Sequence, residues 1–305
     1  MKPSLPLIEK LCTAFERRST LFLAGEPFRA FHRELDGQAG LWIDHFHSVV
    51  IIHIEDQYMS LVPTLRRSAE DVAQLFQVRM VYVRLHHRKR DNSREEDVFV
   101  LTKTENAGEE FQICEQDIRY LIRPRIQVNG GFFVDAKGLR ALVRAQSRNA
   151  RVLNTFAFTG SIGLAALAGG ASEVTQIDIS KGILRWAKEN YELNPSLCGD
   201  QRMKFIVEDS RSYLAREERR IKAGKAAFDI VILDPPTFGN SGGKPFRLVS
   251  AYRDLIRQGA QVLREDGDLF FSCNCTQITL RELEVAVTDV ATALSRKVMK
   301  LEAIT

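Results

Sequence analysis

Five short apolar runs, each with a polar residue at or near its carboxyl end and each followed by a helical pattern, constrain this chain most. They are RVLNTF (151–156), EVTQIDI (173–179), MKFIVED (203–209), FDIVILD (228–234) and DLFFSCN (268–274). IGLAALAG, KGILRWAKENYELN, SYLAREERRIKA and LVSAYRDLIRQGAQVL lie between them, and LRELEVAVTDVATAL follows the last. Strands alternating with helices predict an α/β fold built on a doubly wound parallel sheet. Ligands of such sheets sit beyond the carboxyl ends of the strands. Asn154, Asp178, Asp209, Asp234 and Cys273 occupy those ends and form the candidate site.

The residues before this pattern have a different texture. A helical segment (1–26) precedes an α+β domain (27–123), and the sheet domain is expected to occupy 124–305. Within the α+β domain, LWID and SVVIIHIE are strand-like, 69–77 is helical and VYVRL is a strand. DVFVLTKT and EEFQICE are expected to pair as a hairpin around Asn106-Ala107-Gly108. An Asn-Gly-Gly turn at 129–131 leads to a helix from about Lys137 to Arg148.

A hydrophobic fraction of 45% and a charged fraction of 27% are those of a globular protein, and the net charge of +4 does not by itself mark a nucleic-acid binder. The cations are clustered, however. Arg84, Arg88, Lys89 and Arg90 crowd one stretch with His86 and His87; Arg216, Arg219, Arg220, Lys222 and Lys225 crowd another. Each suits a phosphate backbone, and each equally suits a solvated face. The five cysteines are odd in number and scattered, as in a reduced cytoplasmic protein, and no C-x-x-C predicts a metal site. The stretch 152–171 is long enough for a membrane span, but Asn154, Thr155, Thr159 and Ser161 interrupt it. A cytoplasmic protein, monomer or homodimer, with no metal and no membrane partner is expected.

The turn after the first strand, FAFTGSIG, holds only Gly160-x-x-Gly163 and not the G-x-G-x-x-G of a pyrophosphate site. That disfavours a nicotinamide dehydrogenase. Asp178 suits a ribose diol and Asp209 an adenine amino group. Ribose and adenine without pyrophosphate fit S-adenosyl-L-methionine. Each acid alone also suits a helix N-cap, since Ser180 and Ser210 follow closely; both serines join the candidate cofactor set. In ILDPPTF, Pro235 and Pro236 stop strand pairing and fix the backbone, presenting the Asp234 carboxylate beyond the sheet. With Phe238 as a stacking plate, this suits a flat, hydrogen-bonding substrate; Phe238 equally suits a core position.

NTFAFTG, QIDIS, VEDS, ILDPPTF and FFSCN, in that order, resemble the class I S-adenosylmethionine-dependent methyltransferases of 23S ribosomal RNA, most closely the cytosine-C5 group. FRAFHRELDGQAGLWID resembles the opening of that family's central domain, and NGGFFVDAKGLR the lead into its Rossmann-like catalytic domain. The resemblance spans roughly 27–290. It implies cofactor contacts at Phe132, Asp135, Asn154, Phe156, Phe158, Thr159, Gly160, Asp178, Asp209 and Asp234, and a nucleophile at Cys273. It implies a ribosomal RNA partner whose target base is single-stranded or flipped, with Arg88, Lys89 and Arg90 as further contacts.

Three departures accompany it. Family members usually begin with a PUA domain, where a short helical segment is expected before residue 27. FVDAKGLR lacks the Arg that usually follows D-x. The usual closing antiparallel hairpin is represented by at most one strand. Cytosine C5 needs activation, which a Cys273 thiolate adding to C6 would supply; as a lone residue, Cys273 is equally a small buried side chain. Cys275 falls on the same side if the strand continues. DPPTFGNS also resembles the guanine-N7 branch, which needs no cysteine, and a non-catalytic RNA-binding assembly factor on the same fold is the third reading.

Overall fold

The computed structural model describes residues 6–86, 98–102, 110–127, 129–197, 203–241 and 244–303. The chain divides into two compact units, Met1–Ala136 and Lys137–Thr305. The segment 124–136 thus groups with the first unit, whereas the composition places a boundary near residue 124.

In the first unit, helix α1 (Leu7–Arg17) buries Leu7, Leu11 and Ala14, spaced along one face. The short α2 (Ser19–Leu23) follows. Strands β1 (Phe28–His32), β2 (Leu41–His45), β3 (Val49–Glu55), β4 (Met80–His86) and β5 (Val98–Val100) form one sheet in that order. β3 and β4 are parallel, joined through α3 (Val62–Arg67) and α4 (Ala69–Leu75); the other pairs are antiparallel. Alternation sends Leu41, Ile43, Val50, Ile52, Ile54, Val81 and Val83 into a core with α1 and α4.

One expected pairing is corrected. β5 pairs with β4, and β6 (Phe111–Glu115) pairs with β7 (Ile118–Ile122), not with DVFVL. The β6–β7 turn uses Gln116 and Asp117 at φ 49° and 66°, the two left-handed residues a tight hairpin requires. Asn106-Ala107-Gly108 lies outside the described residues.

In the second unit, α5 (Lys137–Gln146) leads to β8 (Arg151–Thr155), α6 (Ser161–Ala168), β9 (Glu173–Asp178), α7 (Lys181–Glu192), β10 (Met203–Val207), α8 (Ser210–Lys222) and β11 (Phe228–Leu233). A hairpin of β12 (Phe238–Ser241) and β13 (Lys244–Arg247) then interrupts the alternation before α9 (Leu248–Val262), β14 (Leu263–Phe271) and α10 (Leu280–Ala293). The sheet order is β10-β9-β8-β11-β14, every pair parallel. This is the Rossmann-like sheet the sequence predicts; the hairpin was not foreseen. Leu153, Ile177, Val231 and Leu233 join Leu255, Ile256 and Ala286 in its core.

Candidate active site

The chain builds β8, steps outward to β9 and β10, then returns to the other side of β8 with β11. The strand order therefore reverses between β8 and β11, the place where sheets of this kind hold ligands beyond the strands' carboxyl ends. Leu233 is in register with Thr155, so Asp234 leaves the sheet beside Phe156. Leu233 is also in register with Phe271, and the Ser272 N–H donates to the Leu233 carbonyl over 2.8 Å. Cys273 thus emerges on the strand next to Asp234. The candidate cofactor and substrate residues of this unit converge on one edge.

The loop after β8 is strained in a regular way. Phe156, Phe158 and Gly160 take φ values of 54°, 50° and 83°, and the residues between them, Ala157 and Thr159, are buried. Left-handed backbone costs a bulky residue about 1–2 kcal/mol, so other contacts must hold it. The Phe156 N–H donates to Ser210 Oγ (3.2 Å) and the Phe158 N–H to Asp178 Oδ2 (3.0 Å). The Asn190 side chain on α7 donates to the Thr159 carbonyl (2.9 Å). Gln176, buried on β9, donates to the Gly160 carbonyl (3.1 Å) and accepts from Asn154 Nδ2 (2.8 Å). A Cβ on Gly160 or Gly163 would lie 2.7 Å or less from the Gln176 side chain. The G-x-x-G pair therefore serves close approach to Gln176.

Asp178 accepts the N–H groups of Phe158 and Ser180, the latter at 2.9 Å over Oδ1. Burial pushes its carboxyl above the usual carboxylate range, and these amides offset part of that. Beside it, Ile179 and Val207 are exposed apolar side chains at the ends of β9 and β10. Ser180 caps α7, its Oγ accepting from the Ile183 N–H at 3.4 Å. Asp209 caps α8, its Oδ1 accepting from the Ser212 N–H at 2.9 Å. Of the alternatives weighed for these residues, the cap is the one the geometry shows at Asp209. Asn154 Oδ1 is buried and has no hydrogen-bond partner.

On the substrate side, Asp234 is half-buried, Pro235 buried and Pro236 exposed. Phe238 is 65% exposed, which removes it from the core. Cys273 is half-buried, and its Sγ lies 3.9 Å from the Cys275 carbonyl; Cys275 itself is buried. The hairpin after Pro236 is fixed by Phe246, which is buried, 6.2 Å from the Phe156 ring and 5.5 Å from the Arg211 guanidinium.

Phe132 is buried in the first unit, 4.9 Å from the Tyr120 ring, and Asp135 there lies 3.9 Å from Arg29. Arg88, Lys89, Arg90 and His87 fall outside the described residues, and Arg84 is buried, donating to the carbonyls of Pro124 and Gln127. The α8 cations are mostly committed: Arg216 pairs with Glu208, Arg220 and Lys225 with Glu217, and Lys222 with Glu218. Among the described residues no group of three or more His, Cys, Asp or Glu is placed to hold a metal ion, and no helix is long and apolar enough to cross a membrane. Sequence reasoning missed Gln176, Asn190, Ile179 and Val207. A Gln inside the apolar run EVTQID was the one available signal.

A Deinococcus radiodurans ribosomal RNA large subunit methyltransferase is 30% identical over 96% of this chain and 72% of its own length. Large subunit methyltransferase K of Neisseria meningitidis is 32% identical over 68% of this chain and 58% of its own. The K/L protein of Psychrobacter cryohalolentis is 32% identical over 61% of this chain, which spans only 25% of that relative. Among solved structures, a chain assigned as a SAM-dependent methyltransferase from Streptococcus mutans superposes with a TM-score of 0.80 at 23% identity, covering 95% of this chain and 73% of that one. Residues 32–301 match the family model of the S-adenosylmethionine-dependent methyltransferases, and the chain belongs to that family.

Proposed function

We propose that this enzyme methylates a base of large-subunit ribosomal RNA, and that the acceptor is C5 of a cytosine. The ribosomal substrate follows the relatives' names. The choice of atom is supported by one observation: β11 and β14 are neighbours with Leu233 level with Phe271, so Asp234 and Cys273 follow the carboxyl ends of adjacent strands.

S-adenosyl-L-methionine supplies an electrophilic methyl group on a sulfonium sulfur. The residues present fit it. Asp178 offers a carboxylate to a ribose diol, Ile179 and Val207 give exposed apolar faces for adenine, and Asn154 Oδ1 is a buried acceptor with no protein partner. Asp209 and the Phe156–Gly160 loop complete the cradle. A flipped cytosine would rest against Pro235 and Pro236. Asp234 accepts from its N4 amino group or, when protonated, donates to N3. The Cys273 thiolate adds to C6 and turns the ring into an enamine, making C5 nucleophilic. Once C5 carried the methyl group, transfer of the C5 proton to water would let the C6–Sγ bond break, release Cys273 as thiolate and restore the aromatic ring.

A second reading places the methyl group on a guanine nitrogen. It needs no cysteine, and Cys273 Sγ lies 3.9 Å from the Cys275 carbonyl, a contact equally open to a cysteine with no chemical role. Cys273→Ala separates the two. Tritium transfer to ribosomal RNA from a strain lacking the protein falls by at least about a thousandfold for the C5 reaction and stays within about tenfold for a nitrogen acceptor. Nucleoside mass mapping of the product names the atom. An intact chain that fails to bind S-adenosyl-L-methionine in calorimetry would leave only the assembly-factor reading.

A further inference from the structure

We infer that the β12–β13 hairpin is a contact for an unpaired RNA strand, with Phe238 stacking on a base and Arg247 meeting a phosphate of the same strand. This rests on the reading that the substrate is RNA. The hairpin has two unlike faces. Phe238 and Arg247 are directly opposite in an antiparallel pair, so their side chains share one face, and both are exposed. The next pair, Gly239 and Phe246, belongs to the other face, where Phe246 is buried against Phe156 and Arg211. The inner face thus anchors the hairpin to the strained loop after β8. The outer face carries a bare aromatic ring beside a cation.

That pairing is the chemistry of single-strand recognition. Every base offers a π-face to an aromatic plate, and a neighbouring guanidinium tracks the backbone. Arg247 makes no ion pair among the described residues, unlike the α8 cations, whose charge is spent on Glu208, Glu217 and Glu218. The hairpin begins four positions beyond Asp234, so a strand lying on it runs directly to the substrate edge of the sheet. A duplex, whose bases are already stacked, would leave Phe238 with nothing to cover it.

The test uses the full chain and a fluorescein-labelled single-stranded RNA, read by anisotropy, with a duplex of the same sequence as control. Phe238→Ala should weaken single-strand binding about tenfold and leave duplex binding unchanged. Phe238→Trp should bind as the wild type does, and its emission, taken as the difference from the wild type, should be quenched on binding. Arg247→Ala should lower the slope of log affinity against log salt by about 0.7. If the wild-type chain binds single-stranded RNA, yet Phe238→Ala matches it within twofold and Phe238→Trp is not quenched, the hairpin assignment is wrong while the RNA reading stands. A wild-type chain that binds neither RNA overturns both.

Discussion

Asn154 on β8 donates its side-chain amide to Gln176 on β9 over 2.8 Å, and Gln176 donates onward to the carbonyl of Gly160 over 3.1 Å. This chain of amides connects the end of one strand to the loop that follows it, through a neighbour. Gly163→Ala tests it. The new methyl group would lie 2.5 Å from Gln176 Cδ, so Gln176 must move and release Gly160. Overpacking of this kind costs about 1–3 kcal/mol. Urea denaturation should show that loss, and calorimetry should show weaker methyl-donor binding. Unchanged binding would separate the amide chain from the cofactor cradle.

On the proposed cofactor site, Asp178 should make methyl-donor binding pH-dependent. Burial raises its pKa above the ordinary carboxylate value of 3.8, with the amides of Ser180, Phe158 and Ile179 opposing. Only the ionised form accepts both hydrogens of a ribose diol. Affinity should therefore be full near neutral pH and decline on acidification through the raised pKa, by about tenfold per pH unit below it. Calorimetry from about pH 7 to about pH 4.5 measures this, and Asp178→Asn should bind weakly with a flat profile.

The first unit should lose stability in mild acid. Burial lowers the pKa of His45 and His53 below 6.5, although the Phe76 carbonyl supports the charged form of His45 and Asp44 that of His53. Both rings stay neutral when folded and take up protons on unfolding. Their contribution is complete above about pH 6.5 and is lost as pH falls toward the lowered folded values. The slope is up to about 2.7 kcal/mol per pH unit for two protons. Trp42, stacked 4.8 Å from His53, reports the transition by fluorescence. His45→Gln should halve the slope; a wild-type stability flat between about pH 6.5 and 5 contradicts the account.

Glu217 is completely buried with Arg220 at 2.7 Å and Lys225 also paired to it. Burial raises its pKa, but hydrogen bonds from Lys225 and Arg220 outweigh this and hold it below the ordinary 4.5. Its stabilisation is present above about pH 4.5 and vanishes as pH falls through the lowered value. Glu217→Gln should cost about 2 kcal/mol at neutral pH. Guanidinium denaturation at about pH 7 and pH 3 should show the difference from wild type shrinking in acid.

The α/β alternation was legible because parallel strands are buried on both faces and stand out as apolar runs. FRAFH went unnoticed because Arg29 and His32 break its apolar pattern, although Arg29 is paired with buried Asp44. The β6–β7 hairpin was misassigned because its left-handed turn residues are Gln116 and Asp117, whereas Asn106-Ala107-Gly108 carries the stronger turn composition. The α8 cations looked available to phosphate because their acidic partners Glu208, Glu217 and Glu218 are visible as partners only once the helix is formed.

By itself the sequence determined the order of strands and helices, the polar residue at each strand end, and the absence of a pyrophosphate turn. These are local properties, carried by side-chain periodicity and by what Gly and Pro permit. Only the tertiary structure decided that β8 adjoins β11, and hence that Asp234 emerges beside Phe156 and Cys273 beside Asp234. It also decided that Gly160 and Gly163 make room for Gln176, and that Phe238 faces solvent with Arg247. Strand order and charge partners depend on contacts between segments far apart in the chain, and no local pattern encodes those.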